Sequence, residues 1–256
     1  MVMIKKFAPI ILSTFLAISV SYAGTVTVAS KADCTERWDS ILSNETIEAT
    51  YTPLINLCGS AFRKKLLSII KRNKEQTYTE ARHIMFSDVD NNNGTVCSVY
   101  DSHCIRTRDI PDPEKMNCEH TWPQSRGAEG IAKADLHHLY PVSKDMNSRR
   151  NNHPFCDVVT PVWTGGDTAL GAGPSGVTCF QPPKKHAGNV ARSMFYFSVR
   201  YDFAIDAEQE HFFRKWNVSD DVDEAEMNRN TKIESWQNNR NPFVDHPSFA
   251  GLIDNF

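Results

Sequence analysis

The sequence predicts an α+β fold from three observations. Helical apolar spacing marks both ends of the chain, short turn-bounded segments fill the middle, and near residue 120 the order reads strand, strand, helix. Taken in order, Lys5 and Lys6 precede a mostly apolar run over residues 7–20, with Ser21-Tyr22-Ala23 before Gly24. That is the pattern of a secretory signal peptide over residues 1–23, too short to prefer a membrane span. Residues 24–256 then form one domain, within the size a single core can serve. Residues 41–76 have helical spacing at Leu54, Leu57, Phe62, Leu66, Leu67 and Ile70. Asn93-Gly94, between apolar runs at 84–86 and 96–100, reads as a hairpin turn. The preceding Asp88 to Gly94 run is an incomplete Ca²⁺ loop: its glycine comes one position late and Val99 stands where the bidentate glutamate belongs. Residues 134–141 read as a short strand, after which Ser143 offers an N-cap to a helix of two or three turns. Residues 190–216 and 224–237 are helical in pattern, with Asn239 to Pro242 ending the run. Helices thus flank a small irregular antiparallel sheet.

The formal charge is −3, and about −5 without Lys5 and Lys6, which excludes a protein that coats nucleic acid by bulk positive charge. Any affinity for phosphate must be local, and Arg126, Lys133, Lys144, Arg149 and Arg150 cluster in one stretch. All seven cysteines follow the signal, as expected for an oxidising compartment. The short loop from Cys97 to Cys104 nominates that bridge first, then Cys156 with Cys179 and Cys34 with Cys58, leaving Cys118 as a buried thiol; the spacing does not exclude other connectivities. With no C-x-x-C and no H-E-x-x-H, the spacing does not support zinc.

The chemistry concentrates in Glu119-His120 and, 27 residues after the histidine, Asn147. A neutral imidazole accepts a proton near pH 7, and a carboxylate with an amide oxygen suits Mg²⁺. On the expected helix Asn147, Arg150 and Asn151 fall at i, i+3 and i+4, so a metal ligand and phosphate-binding groups share a face. Lys144 and Arg149 add charge for the substrate phosphate. Consecutive residues of a flat strand point to opposite faces, so Glu119 and His120 should sit at a strand end or bulge; a regular strand through both counts against the assignment. His137 suits a structural hydrogen bond, and Asp135 could orient a histidine. Trp122, Trp163, Trp216 and Trp236 could stack bases, although core packing is the commoner fate.

The stretches NCEHTWPQS (117–125), ADLHHLYP (134–141), DMNSRRNN (145–152), NVARSMFY (189–196) and NRNPFVDH (239–246) resemble the bacterial endonuclease I family of periplasmic and secreted nucleases, over roughly residues 78–247. The resemblance implies a ββα-metal (His-Me finger) core stabilised by disulfides, with His120 as general base and Glu119 and Asn147 holding one Mg²⁺, for which Mn²⁺ can substitute. It implies a monomeric, exported endonuclease of low sequence specificity, acting on DNA and also RNA and leaving 5′-phosphate ends. Family members hold the cleaved phosphate with an arginine between the two strands, and Arg126 is the arginine available there. Two rivals belong to other classes. One is a nucleic-acid-binding or uptake protein on the same fold without chemistry, and the other is a Cys-His hydrolase using Cys118 and His120.

Overall fold

The computed structural model describes residues 31–256, so the expected export signal lies outside the described residues. α1 (Lys31–Asn44) buries Trp38 and Ile41, and α2 (Gly59–Ile70) buries Phe62, Leu66 and Ile70 on one stripe at i, i+4 and i+8. The Cys34–Cys58 bridge ties them together. α3 (Tyr78–Ile84) starts at a capping box in which Thr77 and Glu80 satisfy each other's backbone N–H, and it runs into a π-helical turn at Met85–Val89.

Three small antiparallel sheets follow. β1 (Thr95–Cys97) pairs with β2 (Cys104–Arg106), crosslinked by Cys97–Cys104. β3 (Met116–His120) pairs with β4 (Leu139–Ser143), from Met116 opposite Ser143 to His120 opposite Leu139. β5 (Thr160–Gly165), β6 (Thr168–Ala172) and β7 (Thr178–Gln181) form the third, which Cys156–Cys179 fastens to the preceding loop. α4 (Lys144–Arg150) leaves β4 without a loop because the Ser143 hydroxyl accepts from Met146 N–H at 3.3 Å.

α5 (Lys184–Tyr201) is the axis of the molecule: every residue from Val190 to Val199 is buried. A helix buried all round must partner its polar groups. Arg192 reaches Glu226 through two bonds of 2.6 and 2.8 Å, Ser193 meets the Tyr140 hydroxyl at 2.9 Å, and the Tyr196 hydroxyl donates to Asp135 at 2.8 Å. α6 (Ala207–Ser219), α7 (Glu224–Gln237) and α8 (Pro242–Asp245) close over it.

The α+β class and α7 stand as expected, and the cysteines pair as the loop lengths nominated, with Cys118 free and buried. Three local readings are corrected. The pattern over 190–216 is two helices, because Asp202 takes a left-handed φ of 57° as the C-cap of α5. Residues 134–138 are 3₁₀ turns rather than strand, since the Asp135 side chain caps His137 N–H at 3.0 Å; extended structure starts only at Leu139. Asn93 and Gly94 do form the expected tight turn at positive φ, closing an antiparallel bridge between Asn92 and Thr95, but residues 85–89 before them are helical rather than a strand, so the ladder of β1 is with β2.

Candidate active site

Glu119 and His120 are the last two residues of β3, and the ladder is regular through both, with Glu119 opposite Tyr140. There is no bulge. His120 is the strand's final residue, as a strand-end placement requires, but the regular pairing sends the two side chains into different surroundings, which counts against a cleft shared by both.

Glu119 is 3% exposed. Its Oε1 accepts from the Tyr100 hydroxyl at 3.3 Å and lies 3.2 Å from Arg150 Nε, an ionic contact off hydrogen-bond alignment. Burial pushes the carboxyl up to about 7, against the pull of Arg150 and of the Tyr100 hydrogen bond.

His120 faces Tyr78, whose ring centroid is 5.3 Å away, and His138 at 5.4 Å. Its Nε2 is 3.2 Å from the Lys133 carbonyl, which can only accept, so Nε2 carries the hydrogen. The Gln124 amide then donates to Nδ1 at 3.3 Å. Burial and the neighbouring His138 lower the imidazole to about 3, so the ring is neutral. The result is an imidazole in a fixed tautomer with its lone pair on Nδ1.

α4 brings the second set. Asn147 is half-buried one turn before Arg150, and so on the helix face that meets Glu119. Arg150, expected on a substrate phosphate, is instead 1% exposed. Its Nη groups donate to the carbonyls of Asn151, His153 and Thr121 at 3.1, 2.7 and 3.0 Å, and its guanidinium lies 4.1 Å from the Phe155 ring centroid. Asn151 departs from the helical face: as C-cap it takes φ 47° and leaves the helix. Lys144 is ion-paired with Glu114. Arg149 stays partly exposed, bonded to Asp145 at 2.9 Å.

Arg126 is exposed at the rim of a cavity of about 320 Å³ lined also by Trp122, Arg150, His153, Phe203 and Asp206. His137 is structural: its Nε2 meets the Asn239 carbonyl at 3.2 Å. Asp135 receives the hydroxyls of Tyr196 and Tyr201 and the Gln237 amide rather than an imidazole. Trp122 stacks on Phe197 at 4.9 Å and Trp216 is buried, both core residues, whereas Trp236 is 38% exposed and donates to Asp88. Asp90 is held by Arg229 through bonds of 2.8 and 3.0 Å, which commits a ligand that the incomplete Ca²⁺ loop would need. Burial drives the Cys118 thiol up to about 12, so the thiolate that a Cys-His hydrolase needs is suppressed. Gln124 and Tyr100 escaped the sequence reading, and Lys133, expected for its charge, contributes its backbone carbonyl instead. Gln124 follows Pro123 in a 3₁₀ turn, and Tyr100 comes from a separate loop, so no periodicity links either to the site.

Comparison with known proteins gives a match of residues 58–248 to the family model described as Endonuclease I. The chain is similar to an extracellular ribonuclease of Bacillus amyloliquefaciens, 26% identical over 96% of this chain and 90% of the relative. It is also similar to an extracellular ribonuclease of Bacillus subtilis (strain 168), 34% identical over 54% of this chain and 53% of the relative. A periplasmic deoxyribonuclease of Aeromonas hydrophila is 30% identical over 44% of this chain and 48% of the relative. The chain thus spans about half the length of the latter two.

Proposed function

This chain belongs to the endonuclease I family, and from that premise we propose that it is an exported, Mg²⁺-dependent endonuclease of low sequence specificity that hydrolyses DNA and RNA to 5′-phosphate ends as a monomer. Nuclease relatives named extracellular and periplasmic support export and hydrolysis, and those named for RNA and for DNA support the two substrates. No described helix is long and apolar enough to cross a membrane. The observation that carries the reading is the order β3, β4, α4. It ends one strand on Glu119-His120 and brings the Arg150 face of the following helix against Glu119.

The donor set fits a hard divalent cation. Glu119 and Asn147 offer oxygen donors, one of them a carboxylate, and burial raises that carboxyl to about 7 even beside Arg150, so added positive charge would favour its ionised form. Mg²⁺ held by these two would stabilise negative charge developing on the phosphate and on the leaving 3′ oxygen. The protein's own part is to hold and move a proton. The Lys133 carbonyl fixes the Nε2–H tautomer of His120 and leaves Nδ1, which meets the Gln124 amide, as the atom that would accept a proton from water.

Supercoiled plasmid incubated with the purified chain should be nicked and linearised with Mg²⁺ and remain intact with EDTA. Plasmid left intact in both would refute the reading in favour of a silent binding protein.

A further inference from the structure

β5 is the outer edge of its sheet, and almost its whole length is exposed. Val159 and Val162 are 64% and 77% exposed. Pro161 and a bulge blunt this edge against pairing with another strand, yet its valines stay in water next to Arg149 of α4, which packs on Trp163.

The hairpin is shaped around one side chain. Its register slips between Pro161 and Trp163, leaving Val162 as the extra residue of a bulge, a device that re-aims the side chain that follows. The Trp163 indole folds over Gly165, where a Cβ would come within 2.5 Å of the ring. Opposite the bulge, a Cβ at Gly171 would lie 2.2 Å from the Thr160 carbonyl, so the strands can approach this closely only at glycine. The Arg149 guanidinium stands 4.3 Å from the indole centroid, and its Nε donates to Asp145 at 2.9 Å. Neither contact engages Nη1 or Nη2, the paired donors that match a phosphate.

Both parts are registered to Glu119. Arg149 precedes Arg150 on α4, whose Nε meets Glu119. At the hairpin tip the Thr168 hydroxyl donates to the Tyr100 carbonyl at 2.8 Å, and the Tyr100 hydroxyl reaches Glu119. We propose that the β5–β6 hairpin is a nucleic-acid-binding arm in which Trp163 and Asp145 hold Arg149 out to a backbone phosphate of the substrate strand, with the Val162 edge lying along that strand. The inference rests on the nuclease reading for the identity of its ligand. Trp163 acts through Arg149 and is a positioning residue.

Binding of a fluorescein-labelled DNA duplex, measured by anisotropy against salt in a His120→Ala background, separates this arm from the chemistry. Arg149→Gln should weaken binding about three- to tenfold and lower the slope of log K against log salt by about one, because one phosphate contact is lost. Trp163→Ala should weaken binding by a similar factor, about three- to tenfold, and Trp163→Phe should recover most of it, since an aromatic face again carries the guanidinium. In the His120-intact enzyme the Trp163→Ala change should appear in KM, with kcat unchanged. Binding by Arg149→Gln and Trp163→Ala within twofold of a parent that binds DNA would overturn the arm alone. A parent that binds neither DNA nor RNA would overturn it together with the nuclease reading.

Discussion

Arg150 Nε stands 3.2 Å from Glu119 Oε1, and both side chains are sealed from solvent, at 1% and 3% exposure. Removing one partner of a buried ion pair leaves the other charge uncompensated, at a cost of about 3–5 kcal/mol. Arg150 also ties the carbonyls of Thr121, Asn151 and His153 together, a fork that a lysine cannot reproduce. Arg150→Met and Arg150→Lys should therefore both destabilise the fold by a few kcal/mol, about 3–5 for the former. Urea unfolding checks this, and a loss below about 1 kcal/mol in Arg150→Met would mean that the pair does not hold the site.

His120→Ala should lower turnover by about 10² to 10⁴-fold, the usual contribution of a positioned general base. Nucleic-acid affinity should be nearly unchanged, because the phosphate contacts proposed above lie elsewhere. Single-turnover cleavage alongside equilibrium binding measures both. Cleavage within threefold of wild type at neutral pH would remove His120 from the proton transfer.

Glu119→Gln and Asn147→Ala should each weaken Mg²⁺ binding, Glu119→Gln the more severely because it removes the anionic donor. Excess Mg²⁺ should partly restore Asn147→Ala. Isothermal titration of the three proteins tests the ligand set, and unchanged affinity in Asn147→Ala would place that amide outside it.

How far these residues were legible before folding depends on whether neighbours in space were neighbours in sequence. α4, its Ser143 cap and the strand ending at His120 rest on local rules and were readable. The fate of Arg150 was not. Sequence shows an arginine among basic residues, and only the packing of Phe155 and of Glu119 from a different strand turns it inward. Asn151 was misplaced for a similar reason: one residue of positive φ ends the helix before its fourth-neighbour rule applies. The strand assigned to 134–138 failed because a single side-chain cap at Asp135 outweighed an alternating pattern of only a few residues.

Reduction should lower the melting temperature. Closing loops with sequence separations of 24, 7 and 23 residues restricts the unfolded chain, and each bridge typically contributes about 2–4 kcal/mol. Activity should fall as well, because Cys97–Cys104 and Cys156–Cys179 brace segments that pack around β3 and β4. A scan in reductant with an unchanged transition, or seven free thiols by mass spectrometry, would contradict the assignment.

Acid sensitivity should trace to buried histidines, with His186 the cleanest to isolate. Its ring packs edge-on against Tyr140 and Tyr100, with centroids at 4.9 and 5.8 Å, and Nε2 has no hydrogen-bonding partner among the described residues. Burial first, then Arg229, Arg192 and Lys185, lower it from 6.5 to about 3. His137 and His138 are lowered to about 4, again chiefly by burial. The sign follows from proton counting. Between about pH 6.5 and these folded values the unfolded chain binds protons that the folded chain refuses, so stability is full above 6.5 and falls as pH falls. For His186 alone the loss at pH 5 is about 2 kcal/mol. His186→Phe keeps the ring contacts and removes the titration, so it should match wild type near pH 7.5 and be the more stable protein at pH 5. Melting curves from pH 4 to 8 test it, and parallel curves for the two proteins would show that His186 is not the group being protonated.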